Sequence, residues 1–236
     1  MRMIRRYRHT GWDLVASGLL LVCVAVAAAI VLLEANGYLI DFAHLRVESS
    51  SLLVLRTQPR DTTIILDGKR LPHTWDGTWQ ISPGRHELAV TAPGRFTWQQ
   101  SFHVSPRRAA VYQSIILYWR NPEFRETRPV LESEEETPHV DRALSVNVGE
   151  IRVVDGLQTQ LVTRFSRIPQ VVRFLDEDHL IVQLDNELHV IDIDGSNDRI
   201  LFTLPDDAPR QLVVGNEGRS LGIIDHGERV SVYELY

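Results

Sequence analysis

Gly149-Glu150-Ile151-Arg152-Val153-Val154-Asp155 decides how the larger part of this 236-residue chain is read, because the pattern returns twice. Asn186-Glu187-Leu188-His189-Val190-Ile191-Asp192 aligns with it at an offset of 37, and Gly227-Glu228-Arg229-Val230-Ser231-Val232-Tyr233 follows at a further 41. Each copy is a turn residue followed by alternating positions, the period of a half-buried strand. Further strand patterns at 180–184 and 220–224 precede the second and third copies. A period near forty with about four strands per unit points to propeller blades, here an incomplete set of β-meander blades whose edges and apolar faces need covering.

The stretch upstream also reads as β. Runs rich in β-branched and aromatic residues at 52–56, 62–66, 87–91, 95–104 and 111–119 alternate with turn signals at Pro59, Asp67-Gly68, Pro83-Gly84 and Pro93-Gly94. Asp-Gly suits a tight hairpin, since Gly tolerates positive φ and Asp can hydrogen-bond its own turn. About seventy residues with this spacing predict a small β-sandwich. Between the two β regions, residues 121–141 (NPEFRETRPVLESEEETPHVD) hold three prolines and the run Glu134-Glu135-Glu136, and predict an extended acidic linker.

These residues carry two resemblances. Pro59, a strand ending in Asp67-Gly68-Lys69, then Pro83-Gly84-Arg85-His86, then Pro93-Gly94-Arg95-Phe96 leading into a strand, together resemble the PEGA domain, a small β module of bacterial and archaeal surface proteins. Where that family often has Thr-Pro after the hairpin, this chain has His73-Thr74-Trp75-Asp76-Gly77. The resemblance implies an envelope location, a structural or binding role and no catalytic residues. Downstream, Ile191-Asp192-Ile193-Asp194-Gly195-Ser196-Asn197-Asp198-Arg199-Ile200 is similar to the inter-strand hairpins of TolB-like β-propellers. Two and a half blades do not close a ring that normally needs at least four. The last strand pattern, 230–236, therefore predicts an edge that another chain covers, or that folds back onto the sandwich.

Ahead of both regions lie twenty residues, 14–33 (LVASGLLLVCVAVAAAIVLL), without charge or proline. At ~1.5 Å per residue they match the hydrocarbon thickness of a bilayer, and a helix satisfies its own backbone there. Arg2, Arg5, Arg6 and Arg8 precede the run and predict a cytoplasmic N-terminus with everything after it outside. A cleaved signal peptide would instead use Ala25-Val26-Ala27, but the apolar run continues past that cut to Leu33. A lipoprotein would use Cys23, where a bulky Val22 stands in place of a small residue. The resulting division is a tail at 1–13, a membrane helix at 14–33, a juxtamembrane segment at 34–50, a PEGA-like sandwich at 51–119, a linker at 120–142 and propeller-like repeats at 143–236.

Charge and chemistry narrow the function classes. The chain carries a net charge of −6, and without the four N-terminal arginines 21 basic residues face 31 acidic ones, a balance of −10 with which the exterior part is not expected to seek nucleic acid or anionic lipid. A lone cysteine excludes an intrachain disulfide, so apolar cores carry stability. Nine histidines with no H-x-H, H-x-x-H or H-x-x-x-H pair predict no metal site, and no cofactor is expected. Asp194-Gly195-Ser196-Asn197-Asp198 spaces its oxygen side chains loosely like a calcium loop but lacks the closing Glu, and reads as a hairpin turn. Gly218-Arg219-Ser220-Leu221-Gly222 fits the G-x-S-x-G pattern, but a strand and then Asp225-His226 follow, whereas a nucleophile elbow needs a helix.

Trp75, Trp79 and Trp98 are the candidate contacts for an envelope glycan or a partner, against the alternative that large rings fill a small core. The expectation is a non-enzymatic, single-pass envelope protein, bound to the bilayer and interacting with a protein or envelope polymer, with self-association through the C-terminal strands. The alternatives are an accessory subunit of a membrane sensor or transport assembly and, less favoured, an envelope hydrolase using Ser220.

Overall fold

A computed structural model describes residues 11–35, 38–41, 46–74, 76–130, 140–225 and 229–236. The protein is mainly β, with one N-terminal apolar helix and several small sheets, and the described residues form no closed barrel or propeller. The helix is α1 (Gly11–Ala35), followed by β1 (Tyr38–Asp41), β2 (Arg46–Ser49), β3 (Ser51–Gln58), β4 (Thr63–Leu66), β5 (Lys69–Arg70), β6 (Thr78–Ile81), β7 (Gly84–Thr91), β8 (Trp98–Val104) and β9 (Ala109–Ile116). Then come β10 (Glu123–Pro129), β11 (Ala143–Asn147), β12 (Glu150–Asp155), β13 (Gln158–Arg164), β14 (Val171–Phe174), β15 (His179–Leu184), β16 (Glu187–Asp192), β17 (Arg199–Thr203), β18 (Gln211–Gly215), β19 (Ser220–Asp225) and β20 (Arg229–Glu234).

The chain divides into two compact units, one made of Met1–Val54, Thr78–Arg85 and His103–Val111, the other of Leu55–Gly77, His86–Phe102 and Tyr112–Tyr236. In the first, Val15–Leu33 of α1 is long and apolar enough to cross a membrane, and none of the described residues buries it. The β1–β2 hairpin follows the helix. Ser51–Val54 of β3 then pair with β6 from Thr78 to Ile81, placing Leu53 opposite Trp79. Leu53 and Leu55 are buried while Leu52 faces out, the alternation expected of a sandwich strand. The wider sheet orders in the PEGA-like stretch are β6-β3-β9 and β5-β4-β7-β8.

In the second unit each repeat copy forms the corresponding strand of its own sheet: β12 in β11-β12-β13, β16 in β14-β15-β16-β17, and β20 in β10-β20-β19-β18. Ile151, Val153 and Val162 of the first sheet pack with Leu180, Val182 and Ile191 of the second. Leu188 and Val190, on the other face of the second sheet, pack with Leu221 and Ile223 of the third. Burying each such side chain contributes roughly 1.5–3 kcal/mol. An extra residue bulges in β13 and in β17 at the same point of the repeat, turning Val162 and Leu201 inward. Gly195 (φ +84°) sits so close to the first sheet that a Cβ would lie 2.0 Å from the Val162 carbonyl oxygen, so no other residue fits.

Two readings change. The third copy is displaced by one residue: Leu221 pairs with Tyr233 and both join the core, as Leu180 and Ile191 do in the second sheet, so the strand faces repeat at 42. A one-residue slip exchanges the two faces of a strand, and the apolar pattern of Val230 and Val232 hid it. The stretch read as linker contains β10, which pairs with β20 along its length, so the last strand is hydrogen-bonded on both edges. Its composition misled because an outermost strand is held by backbone bonds and exposes its side chains. Phe124 meets Tyr233 edge to face at 5.7 Å, and Arg125 pairs with Glu234. Leu235 adds a tie to the sandwich end of the unit: its carbonyl accepts from the Trp119 N–H at 2.9 Å, and Tyr236 stacks edge-on against Tyr118. The run Glu134-Glu135-Glu136 lies outside the described residues.

Candidate functional site

The densest polar constellation among the described residues forms inside the second unit, where the start of β8 meets the β16–β17 loop. Asp192 ends β16, and the loop folds around its carboxylate: Asn197 Nδ2 donates to Oδ2 at 2.9 Å and Ser196 Oγ lies 3.3 Å from the same atom. The Asp194 carboxylate accepts from the Ser196 N–H at 2.8 Å, the turn chemistry that the Asp-Gly-Ser-Asn sequence predicts. Trp98 Nε1 donates to Asp192 Oδ2 at 2.9 Å, the Gln99 N–H to Asn197 Oδ1 at 2.9 Å, and the Arg199 guanidinium to the Thr97 carbonyl at 3.2 Å. The loop therefore clamps β8 by both side chains and main chain.

His179, at the start of β15, lies beneath this clamp and is 2% exposed. Its Nδ1 is 2.7 and 2.9 Å from the two carboxylate oxygens of Asp176, and its Nε2 is 3.5 Å from Asp192 Oδ1. The Tyr118 ring meets the imidazole edge to face at 5.6 Å. Burial alone would lower the His179 pKa, but the Asp176 hydrogen bond and the charges of Asp176, Asp192 and Asp178 outweigh it and raise it. Burial raises the Asp192 carboxyl, opposed by His179, Asn197 and Trp98. Tyr118 is pushed well up by burial and then by the two carboxylates, and its hydroxyl has no hydrogen-bond partner among the described residues. An imidazolium between two acids neutralises charge that could not otherwise be buried. The arrangement favours the protonated imidazole and ties the β8, β15 and β16 segments together.

The sequence candidates fall in different places. Trp98 is a clamp residue, 7% exposed, and Trp79 is a core residue of β6, 8% exposed, so neither offers a ring face to a ligand. Trp75 and the arginines Arg2, Arg5, Arg6 and Arg8 lie outside the described residues. Ser220 begins β19 after a turn at Gly218 and pairs with Gly215 and Glu234, so the G-x-S-x-G stretch is a turn and strand within a sheet, while His226 lies outside the described residues. Among the described residues no group of three or more His, Cys, Asp or Glu side chains is placed to hold a metal ion. Sequence reasoning missed Asp176, His179, Asp192 and Tyr118. The one local signal was the Asp-Glu-Asp-His run before the apolar stretch Leu180-Ile181-Val182, a charged cluster where a core begins.

The unpartnered apolar surface of this unit lies at the first sheet. Val148, in the β11–β12 turn, is 80% exposed, Leu161 of β13 is 43% exposed and Ile168 is 68% exposed. The Phe165 N–H donates to the Gly149 carbonyl at 2.8 Å, which brings the segment carrying Ile168 beside the turn carrying Val148. No protein-family model matches this chain, and no curated protein matches it significantly.

Proposed function

We propose that this chain is a single-pass, membrane-anchored protein of the cell envelope whose β body stands outside the cytoplasm as a non-enzymatic interaction scaffold. The observation that carries the reading is Val15–Leu33, an apolar helix of spanning length left bare by the other described residues. The N-terminal arginines orient it with the tail inside. The PEGA-like turn order and the TolB-like hairpin support an envelope setting and a binding role. The exposed apolar side chains Val148, Leu161 and Ile168 support the first repeat sheet as the surface that meets a protein partner or a second copy, since β20 has both edges paired.

Protease added to the outer face of intact cells tests the reading. The expected product is a membrane-retained fragment that keeps Arg5 and Arg6 and ends near Tyr38. A mature N-terminus at Ala28, or full protection of the β body, would reject it.

A further inference from the structure

We propose that the outer end of the membrane helix carries a binding site for the phosphate of an anionic phospholipid headgroup, built on Arg107 and Arg108. The inference rests on the anchor reading of Val15–Leu33 and concerns only the first unit. Leu32 and Leu33, the last apolar residues of the span, line a cleft together with Tyr38 and Arg107. The cleft thus has a hydrocarbon-facing wall and a cationic wall, the two chemistries that meet where acyl chains give way to headgroups. The Arg107 guanidinium lies over the Tyr38 ring, 5.0 Å from its centroid, and donates to the Tyr38 hydroxyl. That tyrosine holds the fork without neutralising it, because neither ring nor hydroxyl is anionic.

The loop carrying the two arginines is fixed rather than loose. The Arg107 N–H donates to the Ser50 carbonyl at 3.0 Å, the Arg108 carbonyl accepts from the Leu52 N–H at 3.0 Å, and Ser51 Oγ donates to the Ser105 carbonyl at 2.9 Å. Arg107 holds a left-handed backbone (φ +59°), a conformation these ties maintain. No carboxylate among the described residues pairs with Arg107 or Arg108, whereas Arg152, Arg164, Arg167 and Arg210 each have an acidic partner. Two unneutralised guanidiniums on a rigid loop at the end of a span fit a phosphodiester, which accepts the forked donors that a carboxylate would otherwise take. The negative balance of the whole body argues against a broad attraction to anionic membranes, so the site selects by position.

Full-length protein in mild detergent, equilibrated with mixed micelles of phosphatidylglycerol or phosphatidylcholine, tests this by native mass spectrometry of retained lipid. Phosphatidylglycerol should be retained over phosphatidylcholine by about fivefold per arginine. Arg107→Gln with Arg108→Gln should abolish the preference, and Arg108→Gln alone, which leaves the Tyr38 contact intact, should remove part of it. Arg164→Gln should leave it unchanged. Equal retention of the two lipids by the wild type, an undiminished preference in the double variant, or displacement of the lipid by inorganic phosphate would overturn the proposal. Carbonate extraction of the same membranes separates the two readings. A chain released by carbonate defeats the anchor and the lipid site together, and a retained chain without lipid preference defeats the site alone.

Discussion

β12 and β16 are copies of one sequence pattern that meet different surroundings. β16 buries four consecutive residues, Leu188 to Ile191, whereas β12 buries only Ile151 and Val153. The forward faces match, since Ile151 and Val153 in one sheet and Leu188 and Val190 in the other pack on the next sheet. The backward faces differ. His189 and Ile191 are covered by the first sheet, while Arg152 and Val154 remain half exposed. Aligned Arg152 and His189 each meet an acid, Glu150 at 2.9 Å and Asp198 at 2.7 Å: the Arg152 hydrogen bond lowers the Glu150 pKa, while burial would lower that of His189 and its bond to Asp198 raises it. A strand's burial is set by its place in the stack of sheets and not by its own sequence.

The largest test of that contrast is Leu188→Ala. It empties a fully buried position of the middle sheet and should cost ~2–5 kcal/mol, read as a drop in the denaturation midpoint. A loss below ~1 kcal/mol would mean the second and third sheets are not packed as described.

Trp98→Phe keeps the ring but removes the donor to Asp192, leaving a buried carboxylate one bond short. A loss of ~1–3 kcal/mol is expected, with Trp98→Phe and Asp192→Asn in combination costing less than the sum of the two single variants. Strict additivity in that cycle would show that the clamp is not a unit.

The clamp also makes stability depend on pH. His179 has a folded pKa above its ordinary value of 6.5, so its contribution is fully present below about pH 6.5 and is lost as pH rises through the folded pKa. Asp192, raised by burial, acts in the same direction at lower pH, because its ionised form is penalised in the fold. Stability should therefore decline on the alkaline side, and His179→Gln should flatten part of that decline, His189 supplying the remainder through the same sign. An unchanged pH profile in His179→Gln would remove the imidazolium from the account.

Leu161→Ala should have the smallest effect, within ~0.5 kcal/mol, because its side chain faces solvent on the open sheet. A larger loss of stability in the isolated protein would mean that something covers this face.

Several features were legible in the chain because they depend on local periodicity. The spanning helix, the strand identity of all three copies, the turn at Asp194–Asp198 and the Asp67-Gly68 hairpin, where both residues adopt positive φ, follow from spacing and from residues suited to one backbone conformation. Phe124 and Arg125 were not legible as strand residues, since β10 reads as polar and proline-bearing until β20 is placed beside it. The tryptophans were ambiguous for a similar reason. A large ring in a strand suits both a core and a ligand platform, and only the neighbours of Trp79 and Trp98 separate the two.

The sequence by itself determined the apolar span, the β class and the repeat, because chain-local periodicity and backbone chemistry encode them within windows of a few residues. Tertiary structure alone decided which copy is buried on both faces, which upstream strand seals the last sheet, and that Asp176, His179, Asp192, Trp98 and Tyr118 share one buried site. Those outcomes depend on contacts between residues as far as 109 positions apart, as Arg125 and Glu234 are, and no local pattern records a partner at that distance.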